Sequence, residues 1–255
     1  MEICHNCFRR HWRAKIDKRT GLQVKHRNGN LVYICIYCNT AQEEDVKMIM
    51  PPSERPAANI LYIDTEISKS IYYNYGAKVP SKYLGVQNLI QKWYMIGWAA
   101  SYVGNDTVWS QFVSSKESIA ADDSQIAEKL HGLMNAAEII AGHNVDGFDI
   151  KKCNTMFKFH GLSPITGKKT IDTLKIARSK YSFESNGLDY ISQVLGFSGK
   201  DDINNQDWIN AMHGDKPTLE KIKTYCIGDV SNGKKILMEL LPIANKKLNF
   251  GALKK

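Results

Sequence analysis

The chain has 255 residues, 43% of them hydrophobic and 24% charged, with a net charge of +8. This is an ordinary composition for a globular protein, and no apolar run approaches the ~20 residues of a membrane-spanning helix. The N-terminus, Met1-Glu2-Ile3-Cys4-His5, has no basic or apolar leader, so a cytoplasmic, reducing setting is expected, with the Cys serving as ligands or core residues rather than disulfides.

The charge is unevenly spread. Residues 1–40 hold eight Lys/Arg against Glu2 and Asp17, while the other 215 residues hold 26 basic and 24 acidic groups. A positive end suits a polyanion, most simply nucleic acid; a solvated surface kept for solubility explains it equally well. The same forty residues open with Cys4-His5-Asn6-Cys7 and close with Cys35-Ile36-Tyr37-Cys38. Two Cys-x2-Cys pairs at this separation are a zinc-ribbon pattern, with Cys4, Cys7, Cys35 and Cys38 as four thiolate ligands to one structural Zn²⁺. Between them, Gln23–His26 and Leu31–Ile34 flank Arg27-Asn28-Gly29-Asn30, which predicts a hairpin. So small a module has little core, and the metal would supply much of its folding energy. Nucleic acid and a protein partner are both open as ligands of the ribbon.

Residues 41–56 contain Pro51, Pro52 and Pro56 among charged residues and read as a linker. A second domain, residues 57–255, follows. It opens with Ile60-Leu61-Tyr62-Ile63, a β-branched and aromatic run that predicts a buried strand, leading into Asp64-Thr65-Glu66. Residues i and i+2 of a strand share a face, so Asp64 and Glu66 would sit side by side at a strand end. A divalent cation between them relieves the repulsion; two solvated surface acids would not need one.

Residues 68–92 declare no period and are expected to be a long loop with short structure. Trp93–Val103 and Thr107–Val113 read as strands about the Gly104-Asn105-Asp106 turn. Ile119–Ala136 has helical spacing, and Glu138–Gly142 reads as another short strand. Gly142-His143-Asn144-Val145-Asp146-Gly147-Phe148-Asp149 then turns into a helix expected from Asp149 through Phe159. Asp149 at that position is either a helix cap or a third functional carboxylate. Ile171–Lys180 and Gly187–Leu195 are expected as helices, with Asp172 as a cap. The basic run Lys168, Lys169, Lys175, Arg178 and Lys180 would lie on a nucleic-acid backbone or a solvated face. The last helix, Thr218–Leu241, has an apolar stripe and carries Tyr225 and Asp229 one turn apart. Cys153 and Cys226 read as packing residues. Strands preceding helices in this way predict an α/β fold with a mixed sheet.

Taken in order, Asp64-x-Glu66, Asn144-x3-Phe148-Asp149 and Tyr225-x3-Asp229 resemble the three motifs of DEDD superfamily 3′–5′ exonucleases, in the branch with Tyr in the third motif. The last two look like those of proofreading domains of family-B DNA polymerases; the intervening sequence is similar to stand-alone, phage-type or YprB-like exonucleases. The resemblance covers residues 59–243 and not the ribbon. It implies a ribonuclease H-like mixed sheet flanked by helices, and two Mg²⁺ or Mn²⁺ ions held by Asp64, Glu66, Asp149 and Asp229. It implies a 3′–5′ exonuclease acting on the 3′ end of a single strand, DNA in preference to RNA, with Tyr225 positioning the attacking water. A phenol with its ordinary pKa near 10 stays neutral and acts through its hydroxyl. By the same carry-over Thr65, Asn144 and Phe148 contact the terminal nucleotides, Phe148 by stacking; a core aromatic is its alternative reading. The ribbon would then recruit DNA or a replication or repair protein. A structure-specific endonuclease, an RNA exonuclease on the same fold and a catalytically idle binding module are the competing functions. Clustered negative charge gives a binder of phosphates no benefit, which weighs against the last.

Overall fold

The computed structural model describes residues 59–74, 85–197 and 203–244 in full and, of the chain before them, the backbone of three short strands. Those strands, β1 (Trp12–Ala14), β2 (Val32–Cys35) and β3 (Ala41–Glu43), form an antiparallel sheet in the order β1-β2-β3. β2 matches the second strand expected of the ribbon and ends at Cys35. β3 occupies the first residues of the stretch read as a linker. The expected strand Gln23–His26, its turn, the prolines and Cys4, Cys7 and Cys38 lie outside the described residues.

The rest of the fold is organised on β4 (Ile60–Ile67). A small hairpin follows, β5 (Ile71–Tyr72) with β6 (Leu89–Gln91), then β7 (Met95–Tyr102) and β8 (Trp109–Phe112). Next come α1 (Ser115–Ala120), α2 (Ser124–Ala136), β9 (Ile139–Gly142), α3 (Asp149–Phe159), β10 (Lys169–Asp172) and α4 (Thr173–Lys180). Then come α5 (Leu188–Val194), α6 (Asn205–Met212) and α7 (Lys216–Leu240). The five-stranded sheet has the order β10-β9-β4-β7-β8. β10, β9 and β4 run parallel, and β7 and β8 continue antiparallel. This is the mixed sheet flanked by helices expected of a ribonuclease H-like fold.

β4 is central, and its two faces go to different partners. Leu61 and Ile63 pack with α2 and α3, against Ile126, Leu130, Met156 and Phe157. Ile60 and Tyr62 pack with Cys226, Val230 and Leu237 of α7. The alternation follows from the two-residue period of a strand. It commits Asp64 and Glu66 to the α7 face, and Thr65 to the α3 face. α7 can approach so closely because of Gly233: a Cβ there would lie 2.2 Å from the Tyr62 hydroxyl oxygen. The register slips between Glu66 and Ile67, so regular pairing ends just beyond the second carboxylate.

Two expected helices are corrected. Ile119–Ala136 is interrupted: α1 ends at Ala120, capped by Ala121 in the left-handed region at φ 52°, and α2 starts only at Ser124. Between them the carboxylate of Asp123 accepts the Met95 N–H at 2.8 Å and contacts the His160 ring at 2.6 Å. A bond to the sheet outweighs helical continuity here. Ile171–Lys180 is also not one helix. Its first two residues end β10, paired with β9, and α4 begins at Thr173 with Asp172 as its cap. Among the described residues no helix is long and apolar enough to cross a membrane.

Candidate active site

Three elements supply the expected carboxylates: β4 gives Asp64 and Glu66, the start of α3 gives Asp149, and the middle of α7 gives Asp229. Asp149 is 3% exposed, Asp229 5% and Glu66 8%, although acids of this kind are seldom buried without compensation. Among the described residues, one group of metal-ligating side chains has its donor atoms within 4.8 Å of one another: Asp64, Glu66 and Cys226. Asp149 and Asp229 stand outside that group but share its electrostatic field. The Tyr62 hydroxyl is pushed well above its ordinary pKa, first by burial and then by Asp64, Asp149 and Asp229. The Cys226 thiol is likewise pushed up by burial and by Asp64, Glu66 and Asp229. Two buried groups thus sense all four acids between them. Asp64 and Glu66 are close enough to share a single ion.

Asp149 occupies the first turn of α3, yet it is not the cap. Phe148 holds the cap position and makes no side-chain cap bond. The Thr65 hydroxyl donates to Asp149 Oδ1 at 2.7 Å across 84 residues of sequence. Burial pushes the Asp149 carboxyl up to about 7; the Thr65 hydrogen bond acts against that rise, and the charge of Asp172 adds to it. A carboxylate placed at a helix N-terminus and still this hard to ionise is one that a cation would stabilise strongly. Thr65, expected to touch substrate, is buried and gives its hydroxyl to this carboxylate.

The loop before α3 is set by Asp172. Its carboxylate accepts the N–H groups of Asn144 at 3.0 Å, Asp146 at 3.4 Å, Leu174 at 3.1 Å and Lys175 at 3.4 Å. Asn144 adopts φ 67°, which Asn tolerates better than most residues. Its carbonyl accepts from Gly147 and Phe148, and a Cβ on Gly147 would meet Asn144 Oδ1 at 2.4 Å. His143 braces the loop from beneath, contacting the Thr173 hydroxyl at 2.9 Å and the Asn186 carbonyl at 2.8 Å. Asn144 and Phe148 are left exposed, Phe148 by 38%, so Phe148 is not a core aromatic. Tyr225 is half-buried on α7, one turn before Asp229.

Tyr62 and Cys226 were missed in the sequence as members of this site. Tyr62 has the parity of Asp64 on β4, which is the one available clue. Cys226 follows Tyr225 and precedes Asp229 by three residues, a helical neighbour spacing. It is a packing residue as expected, fully buried in the α7 core, but its sulfur also reaches the carbonyl of Asp64 at 3.6 Å.

A family model of the RNase_H superfamily, RNase_H_2, matches residues 84–241. The chain belongs to the RNase_H superfamily. The matched region begins after β4 and includes α3 and α7, so it contains Asp149 and Asp229 and leaves out Asp64 and Glu66. Among solved structures, the RNase_H superfamily chain is similar to the family B DNA polymerase from the hyperthermophilic archaeon Pyrobaculum calidifontis. The TM-score is 0.54 at 16% sequence identity, over 79% of this chain and 26% of the polymerase. The chain therefore spans about a quarter of that protein's length, and the likeness is one of fold. No curated protein sequence matches the chain.

Proposed function

We propose that the protein is a metal-dependent 3′–5′ exonuclease that removes nucleoside monophosphates from the 3′ end of single-stranded DNA. The observation that carries this reading is the pair Asp64 and Glu66, with donor atoms within 4.8 Å of each other, beside a Tyr62 hydroxyl that feels Asp64, Asp149 and Asp229 together, in a chain of the RNase_H superfamily. Stability alone gives no reason for it: burying like charges together is unfavourable. The donor set is all hard oxygen apart from Cys226, which fits Mg²⁺ or Mn²⁺. Asp64 and Glu66 would hold one ion, with Asp149 and Asp229 completing the pair of sites. When bound, such ions supply Lewis acidity toward a phosphoryl oxygen and toward water.

The remaining work falls to the chain. Thr65 fixes the orientation of Asp149, and the Asp172-anchored loop holds Asn144 and Phe148 beside it. In this reading Phe148 stacks on the terminal base, a contact that every base can make. The Tyr225 hydroxyl would orient the attacking water by hydrogen bonding. The four ribbon cysteines belong to the same proposal as a structural Zn²⁺ site, supported by their spacing and checked by zinc release on titration with a thiol-reactive mercurial.

The direct test is 5′-labelled single-stranded DNA with Mg²⁺ or Mn²⁺, beside a copy blocked at its 3′ end and an EDTA control. A descending ladder that disappears with EDTA and with the block is expected. Asp64→Ala and Asp229→Ala should abolish the ladder while leaving oligonucleotide binding in place. Cleavage of the blocked strand would instead identify an endonuclease, and cleavage of RNA alone an RNA exonuclease.

A further inference from the structure

From Phe148, beside the carboxylate site, a row of rings and lysines continues along α3 beyond that site. Phe148, Lys152 and Phe159 are spaced so that they fall on one side of the helix. Beside them, in the link between β6 and β7, lie Lys92 and Trp93. Lys152 Nζ stands 4.0 Å from the centre of the Trp93 ring and 5.7 Å from that of Phe148. Lys92 Nζ stands 3.5 Å from the centre of the Phe159 ring, and the Trp93 and Phe159 rings are 6.4 Å apart at 46°. Phe159 is 52% exposed.

We propose that Phe148, Trp93 and Phe159, with Lys92 and Lys152, form a continuous stacking track for single-stranded nucleic acid, leading from the carboxylate site along α3. The proposal rests on the exonuclease reading for its direction: the 3′ end lies at Asp149, and the nucleotides upstream of it run toward Phe159. Three features favour this occupant. Alternation of two exposed rings, Phe148 and Phe159, and the half-buried Trp93 with cations is the composition that holds bases and backbone together in sequence-tolerant single-strand binding. The row begins one residue from Asp149, so a strand whose end is in the site must leave across it or beside it. Its length also fits: eleven residues of helix span about 16 Å, room for roughly five stacked nucleotides at ~3.4 Å each, and fewer if the strand is extended.

The lysine contacts make the track exchangeable. An ammonium over an exposed ring is a weak interaction, and a base on the same ring is a stronger one. On binding, Lys92 and Lys152 would leave the rings for phosphates while bases take their place. A duplex cannot do this, because its bases are already stacked on each other. The track therefore selects single strands by exposing ring faces, and reads neither sugar nor sequence.

The test is fluorescence anisotropy of labelled dT12 and U12, and of a 12-base-pair duplex, in EDTA so that nothing is cleaved. Wild type should bind both single strands more tightly than the duplex. Phe159→Ala and Trp93→Ala should each weaken both single strands by about tenfold, the loss of one stacked base, and Phe159→Trp should bind like wild type. Lys158→Ala, which removes a charge beside Phe159 that takes no part in the track, should weaken binding by a factor of two or less. Thermal melts of each variant establish that it is folded. Unchanged affinity in folded Phe159→Ala and Trp93→Ala overturns the track, as does equal binding of duplex and single strand by wild type. Because these readouts need no turnover, they stand apart from the ladder assay. A protein that degrades DNA but ignores both substitutions refutes the track alone. One that binds as described but never cleaves refutes the exonuclease.

Discussion

The starts of α3 and α4 each place a buried aspartate, Asp149 and Asp172, at 3% and 4% exposure. Their surroundings differ in kind. Asp172 is surrounded by backbone N–H groups from the Asn144 loop and from the first turn of α4. Those dipoles compensate its charge, so it serves as a cap and a brace. Asp149 is more deeply desolvated: the Thr65 hydroxyl and the backbone N–H groups of Asp149 and Thr65 favour its charge, yet burial, with the charge of Asp172, outweighs them and pushes its carboxyl up to about 7. Burial alone does not mark a functional acid. A buried acid whose compensation is incomplete within the protein is the one placed for a ligand.

Substitution at the two positions should separate these roles. The largest effect is expected from Asp149→Asn, which keeps the shape and removes the charge: cleavage in the ladder assay should fall by about a thousandfold or more, a loss of electrostatic stabilisation of the kind that sets catalytic rates. Its melting temperature without metal should match or exceed wild type at pH 8. Asp172→Ala should do the reverse in the same melts, losing about 2–4 kcal/mol through the lost cap and the unsatisfied N–H groups of the loop. If Asp149→Asn unfolds the protein while Asp172→Ala is neutral, the two assignments are exchanged.

pH sharpens the contrast. The folded-state pKa of Asp149, about 7, lies above the usual carboxylate value of 3.8, so between those limits the folded state holds the extra proton. Stability from this group is present below about pH 4 and is lost as pH rises through about 7, by a few kcal/mol at most. In metal-free melts the gap between wild type and Asp149→Asn should therefore widen from pH 5 to pH 8, and Mg²⁺ or Mn²⁺ should narrow it at pH 8. A gap that stays constant with pH would mean that Asp149 is ionised throughout. The smallest effect is expected from Thr65→Val. Without the hydroxyl donor the Asp149 carboxyl rises further, and the pH at which metal restores stability should move up by up to about one unit.

Much of this was readable from local pattern. The apolar run before Asp64, the two-residue period that pairs it with Glu66, the turn residues before Asp149 and the stripe of α7 are all properties of neighbours in sequence, because strand and helix periods are set by the backbone. β10 was not readable: Lys169–Asp172 becomes a strand only by pairing with β9, some thirty residues earlier. The break at Ala121 is similar, since it exists to bring Asp123 to the Met95 N–H of the sheet. The sequence by itself determined which residues are acids, on which face of their element each lies, and that they recur in the order of a known motif set. Only the tertiary structure decided that Tyr62 and Cys226 stand among them, that Thr65 serves Asp149, and that Trp93 meets Lys152 beside Phe148. The reason is one of range: periodicity is enforced within a few residues, whereas burial, pKa and ring contacts depend on elements brought together by the core.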